Sequence, residues 1–162
     1  MRVIKGDATS DRGLRNVTDG AVELLKGFEF NANSVFGKTV NAQFQAAADR
    51  VTGQLSVNIE SFTPAKAVTA PEGTTHFRII SAGAEIDFSN ESWKIDTHGS
   101  SILPWDTTPT GAINLVHTVT PNSSNPLFTV LGIEFYQQMN GKMYSLFSGV
   151  YSAVQLVDVL PF

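Results

Sequence analysis

His76, His98 and His117 are the side chains best suited to metal or proton-transfer chemistry, and they stand about twenty residues apart. A zinc site legible from spacing has two such ligands at i, i+2 or i, i+4. No second histidine stands at that distance from any of the three, so convergence could come only from the fold. His117 continues the apolar register of Ile113, Leu115 and Val119 and reads as a hydrogen-bonded core or rim histidine. His98 lies in a Gly/Ser-containing loop near Asp96 and Ser100, the residue types of a Ser–His–Asp triad. Residues so close along an extended chain are expected to point to alternating faces, and no nucleophile elbow is present. The triad is set aside.

Paired carboxylates are the next chemistry to test, because two of them can hydrolyse a glycoside. Glu85 and Asp87 share one face of a predicted strand, and Glu134 lies on another. Acids on the outward face of a strand need no catalytic role, and a solvated face is the expectation. The stretch "GDATSDRG" (6–13) lacks the spacing and the Lys-Ser/Thr pair of a phosphate loop, and "DATSD" (7–11) is too sparse for calcium. Cysteine is absent, which removes thiolate nucleophiles, disulfides and cysteine-ligated metals. Neither a cofactor nor a metal is expected.

With 11 Lys+Arg against 15 Asp+Glu, the formal charge is −4, and no basic run occurs. Nucleic acid and anionic membrane surfaces need clustered positive charge, so neither is expected as a partner. No stretch approaches the roughly 20 apolar residues of a membrane span, and "MRVIKGDATS" lacks the apolar core of a signal peptide. The compartment stays open.

The aromatic residues offer the best remaining contacts. Trp105 follows Pro104 in a long loop, Tyr136 is predicted on the open face of a hairpin, and Phe162 ends an apolar tail, "VDVLPF" (157–162). Exposed rings stack on sugars; the plainer reading is that Trp105 plugs one end of the fold. The tail is either a docking peptide or folds back on its own domain. Trp93, alternating with Ile95, reads as core.

The elements that must position these residues are mostly strands. "QLSVNI" (54–59) alternates Leu55, Val57 and Ile59 against polar residues. "FTPAKAVTAPEG" (62–73) reads as an extended connection. "THFRII" (75–80) and "AEIDF" (84–88) alternate in turn, with "SAGA" (81–84) as a bulge that resets the register so that Phe77, Ile79, Ile86 and Phe88 all point inward. "SWKID" (92–96), "AINLVHTV" (112–119), "LFTVLGIEFYQQ" (127–138), "KMYSLF" (142–147) and "VYSAVQLVDV" (150–159) continue the series. Asn140-Gly141 marks a tight hairpin that pairs Met139 with Lys142, Gln137 with Tyr144 and Phe135 with Leu146. In that register Tyr136 faces outward and Tyr144 lies toward the core edge.

Before residue 51, "TSDRGLRNVTDGAVELL" (9–25) predicts one or two short helical turns, with Gly13 and Gly20 interrupting. "GFEFN" (27–31) and "VFGKTV" (35–40) read as a strand pair, and "NAQFQAAAD" (41–49) as an edge strand. About eight or nine short strands with regular turn signals predict an all-β fold, an antiparallel β-sandwich of Ig-like or fibronectin-like form with a short helical N-terminal segment. The expected division is an appendage over 1–26 and the sandwich over 27–162.

Four stretches, "KGDATSDRGLRNVTDGAVELLKGFEFN" (5–31), "DRVTGQLSV" (49–57), "APEGTTHFRIISAG" (70–83) and "PLFTVLGIEFYQQMNGKMYSLFSGVYSAVQLV" (126–157), resemble the C-terminal portion of a family of uncharacterised β-rich proteins from Bacteroidota. Members of that family are longer and carry an N-terminal segment with a basic, glycine-rich hairpin and a helix. The resemblance implies a fragment of such a protein, or a member that begins at Met1, in a bacterial and non-catalytic setting. It carries no functional residue over. The expected function is a non-catalytic structural or interaction domain of a larger bacterial protein or assembly, with a protein partner or self-association. The alternative is a carbohydrate-binding module using Trp105 and Tyr136.

Overall fold

The computed structural model describes residues 2–17, 20–146 and 152–162. Two antiparallel sheets account for most of the regular structure. In the smaller, β1 (Phe44–Asp49), β2 (Gln54–Ile59) and β6 (Ile113–Thr118) lie in the order β1-β2-β6. The larger contains β3 (His76–Asp87), β4 (Ser92–Gly99), β5 (Leu103–Pro104), β7 (Leu127–Met139), β8 (Lys142–Ser145) and β9 (Ala153–Leu160). Strands β3 and β7, of 12 and 13 residues, form its centre. At roughly 3.3 Å per residue each runs about 40 Å, long enough to hold two partners along one edge. Strand β3 pairs with β4 and β5, and β7 with β9 and β8.

Period-two burial builds the shared interior. Val57 and Ile59 of β2 and Ile113 and Leu115 of β6 meet Phe77 and Ile79 of β3 and Leu131, Ile133 and Phe135 of β7. At a bulge in β9, Val157 has no register partner, because Thr129 pairs with Asp158 and Val130 with Leu156. The extra residue lets Val157 join this core while Leu156 and Val159 face the other side of the sheet.

That other side is also apolar. Strand β3 runs without a break, paired residue for residue with β7 from His76↔Tyr136 to Glu85↔Leu127, so the bulge expected at 81–84 does not form. Phe77, Ile79, Ser81, Gly83 and Glu85 therefore share the inner face, and Ile86 and Phe88 fall on the outer one. There they pack with Ala84, Phe128, Leu156 and Val159 against Val3, Val17, Val22 and Leu25 of the N-terminal segment. Phe88 and Phe128 meet edge to face at 6.3 Å. Trp93 and Ile95, expected in the core, are 70% and 56% exposed on this same outer side, because β4 is an edge strand paired with Ile86 and Ala84 there.

The N-terminal segment contains a single helical turn, α1 (Arg2–Lys5), and a 3-10 turn (Val22–Leu25). Asp7 organises the loop between them. Its carboxylate accepts the Thr9 and Ser10 N–H groups at 2.9 Å and the Asn16 N–H at 3.2 Å. Burial pushes its pKa up, but these bonds outweigh burial and hold it well below the usual carboxylate range. Residues 27–30 then run beside β9: Gly27 and Phe30 donate to Leu156 and Val154, and Leu156 donates back to Phe28. The strand pair expected from 27–31 and 35–40 is absent. The first half makes only a bridge, Glu29↔Gln155, and the second winds into α2 (Phe36–Thr39), whose Phe36 caps the core. Pro64 likewise starts a turn, α3 (Pro64–Ala67), inside the expected extended connection.

The 139–142 hairpin has the expected register, with Met139 opposite Lys142 and Gln137 opposite Tyr144. Asn140 and Gly141 both have positive φ, 49° and 76°, as a twist-matched two-residue turn requires. Gly141→Ala should cost about 1 kcal/mol, readable as a lower urea midpoint with an unchanged slope. Phe147, Val150 and Tyr151, expected in the last two strands, lie outside the described residues, as do Thr18 and Asp19 of the expected helical turns.

Candidate functional site

The outer face of the larger sheet carries the most distinctive surface. An apolar groove of about 430 Å³ runs between the N-terminal segment and the sheet, walled by Leu25, Phe28, Phe30, Ile86, Phe88 and Ile95. Its floor includes Ala82 and Ala84, whose small side chains leave room above β3. Phe28 and Phe30 sit edge to face at 5.2 Å and are each more than half exposed. Trp93, opposite Ile86 in register, carries the apolar strip to the outer edge of β4. Among the described residues no strand covers that edge.

The three aromatic residues singled out in the sequence lie elsewhere and do not converge. The Trp105 ring packs against the core, and its indole N–H donates to the Val68 carbonyl at 3.1 Å. Tyr136 is half-buried on the outer face beside His76, and its hydroxyl donates to Glu134 at 2.8 Å. Desolvation, then the Glu134 carboxylate, pushes its pKa up. Tyr144, expected near the core edge, is 52% exposed because the short β8 extends beyond the body of the sheet. Phe162 is half-exposed, but the tail before it is anchored. Leu160 packs near Leu55, Val119 and Leu127, and the Arg50 guanidinium binds the carbonyls of Leu160 and Pro161 together with those of Ser123 and Asn125.

The inner face of β3 becomes polar beyond Ile79. Glu85, expected on a solvated face, is buried and accepts hydrogen bonds from Thr120 N–H, Ser123 Oγ and Asn125 Nδ2. His117 is fully buried, with Nε2 2.9 Å from Ser81 Oγ. Close by, Asp96 lies on β4 as expected, and His98, expected in a loop, lies on the same strand. Two residues apart on a strand, they share its inner face, contrary to the alternation expected for them. The Asp96 carboxylate contacts His98 Nε2 at 3.1 Å and accepts the Thr118 N–H at 2.8 Å. The Thr118 N–H, then burial in opposition and His98, hold the Asp96 pKa down on balance. His98 and His117 stack with ring centroids 5.3 Å apart.

Ser100 completes no triad. Its hydroxyl donates to Ser101 O and accepts the Ile79 N–H. The Asp-x-His spacing on a strand was the signal in the sequence for the Asp96–His98 pair. The approach of His117, from the other sheet, had none.

No family model matches the chain, nor does any curated protein or solved structure. Among the described residues no helix is long and apolar enough to cross a membrane.

Proposed function

We propose that this chain is a non-catalytic interaction domain that associates with a second copy of itself through the free edge of β4 and the apolar strip beside it. The observation that carries this reading is the continuity of the two features. Trp93 and Ile95 stand on the edge strand itself and lead directly into the Phe28–Phe30 groove. An unpaired strand edge offers a row of N–H and C=O groups to another strand. Antiparallel pairing of β4 with β4 of a second copy would satisfy both edges and shield both apolar strips in one isologous contact. Covering exposed apolar surface supplies the driving force.

This reading keeps to the resemblance noted above, in which the chain is part of a larger bacterial protein or assembly. It also keeps to an Ig-like or fibronectin-like arrangement of the two sheets, with the N-terminal segment as an added cover on one face. Carbohydrate binding through Trp105 and Tyr136 has less to support it, since the indole packs on the core and both polar handles are already engaged.

Light scattering across a concentration series tests the proposal. A dimer is expected, and Trp93→Lys or Ile95→Lys should return it to a monomer that still unfolds cooperatively, because both side chains are largely exposed, with a midpoint matching that of the wild type diluted until it is monomeric. A monomer at every concentration, or a dimer indifferent to both substitutions, would overturn it. A glycan array is expected to be silent; binding lost in Trp105→Ala would favour the sugar reading.

A further inference from the structure

We infer that Asp96, His98 and His117 form a binding site for one divalent first-row transition-metal ion, at the corner where β4 of the larger sheet meets β6 of the smaller. One donor atom from each of the three lies within 4.8 Å of the others. Ligands bound at about 2.0–2.2 Å around one ion stand closer together than that, so the three side chains must draw in by about 1 Å. His98, with its side chain 51% exposed on an edge strand, can swing inward, and Asp96 can present Oδ1 while Oδ2 keeps the Thr118 N–H.

Hydrogen-bond accounting at His117 is the second, independent observation. Ser81 Oγ has one proton and donates it to the Val130 carbonyl at 2.7 Å. Its 2.9 Å contact with His117 Nε2 must therefore be accepted, which places the imidazole proton on Nε2. Nδ1 is left as a bare lone pair on a fully buried residue, with no hydrogen-bond partner. A buried acceptor without a donor is costly, and a cation satisfies a lone pair without supplying a proton. The Nε2–H to Ser81 bond is also the kind of outer contact that orients a metal-binding histidine through its other nitrogen. Thr118 N–H plays the same part for Asp96, fixing Oδ2 at 2.8 Å.

Two imidazoles and one carboxylate suit Zn²⁺, Fe²⁺ or Co²⁺ rather than Ca²⁺ or Mg²⁺, which prefer all-oxygen sites. On binding, His98 takes the neutral tautomer with its proton on Nδ1, so that Nε2 presents its lone pair to the ion, and the proton that Nε2 gives up passes to solvent as solvent supplies the one on Nδ1. Three protein ligands leave at least one coordination position open on the solvent side. The ion would join an edge strand of each sheet and close this corner of the fold.

The test is calorimetric titration of the metal-free full chain with Zn²⁺, paired with Co²⁺ absorption spectra. One ion per chain is expected, with micromolar or tighter affinity, visible Co²⁺ bands and a raised unfolding midpoint. His98→Ala and Asp96→Asn should each leave a metal-free chain that still unfolds cooperatively, with the metal effect read as the shift of each variant's own midpoint on adding Zn²⁺. Each should weaken binding by more than about 100-fold, since loss of an outer contact alone costs roughly 10- to 100-fold. His76→Ala should change nothing. Absence of binding, or binding insensitive to both His98→Ala and Asp96→Asn, would overturn the site.

Discussion

Alanine at Glu85 is expected to lower the free energy of unfolding by about 3 kcal/mol, because three donors lose one buried acceptor and each unmet buried group costs roughly 1–3 kcal/mol. Oε2 accepts the Thr120 N–H at 3.1 Å, while Oε1 accepts Ser123 Oγ at 2.5 Å and Asn125 Nδ2 at 3.0 Å. The carboxylate thus holds the 120–125 loop against β3. Burial pushes its pKa up, but the bonds from Ser123, Thr120 and Asn125 together outweigh burial and settle it at about 2, below the ordinary 4.5. The folded-state pKa is lowered, so the stabilisation is complete above pH 4.5 and drains away as pH falls toward 2. Asp7 is lowered too, so the whole protein weakens in acid. The difference between wild type and Glu85→Ala isolates Glu85, and it should shrink between pH 7 and pH 3 in urea unfolding. A variant within about 0.5 kcal/mol of wild type at pH 7, the range of ordinary surface substitutions, would show that the loop is held by something else.

Gly83→Ala should cost about 2–3 kcal/mol, in the range of overpacked cores. A Cβ at this position would stand 2.6 Å from His117 Cβ and 3.1 Å from its Cγ, a contact no real pair makes. The imidazole of the smaller sheet rests directly on the bare backbone of the larger, so neither side can yield without moving a strand. His117→Gly in the Gly83→Ala background removes the obstruction, Cβ included. The two changes should therefore combine to less than their sum, with a coupling of at least about 1 kcal/mol in a double-mutant cycle. Strict additivity would mean that the sheets adjust elsewhere.

The alternating strands were legible where one face meets the core and the other meets water. Leu55, Val57 and Ile59 of β2, Ile113 and Leu115 of β6, and the Asn140-Gly141 hairpin are of this kind. Strand β3 was not, because both faces of the larger sheet are covered. Once Val3, Val22 and Leu25 shelter the outer side, Ile86 and Phe88 are apolar and face outward, while Ser81, Gly83 and Glu85 are polar or small and face inward. Parity then no longer tells inside from outside, and a register reset was inferred where the chain runs straight. Trp93 and Ile95 misled for the related reason that an edge strand can carry large apolar groups without burying them. The Asp96–His98 pair was misread, since residues two apart on a strand share a face where alternating faces had been expected. Its meeting with His117 depends on how two sheets stack, which no local pattern encodes.

Residues 27–30 take their backbone partners from 154–156 of β9. As the ribosome delivers the chain, this early stretch has nowhere to dock until more than a hundred further residues have been translated. The cover over the larger sheet's outer face must be assembled late. Such distant pairings raise contact order and slow folding. They leave Phe28, Phe30 and Phe128 exposed in the growing chain, where chaperones would be the first to meet them.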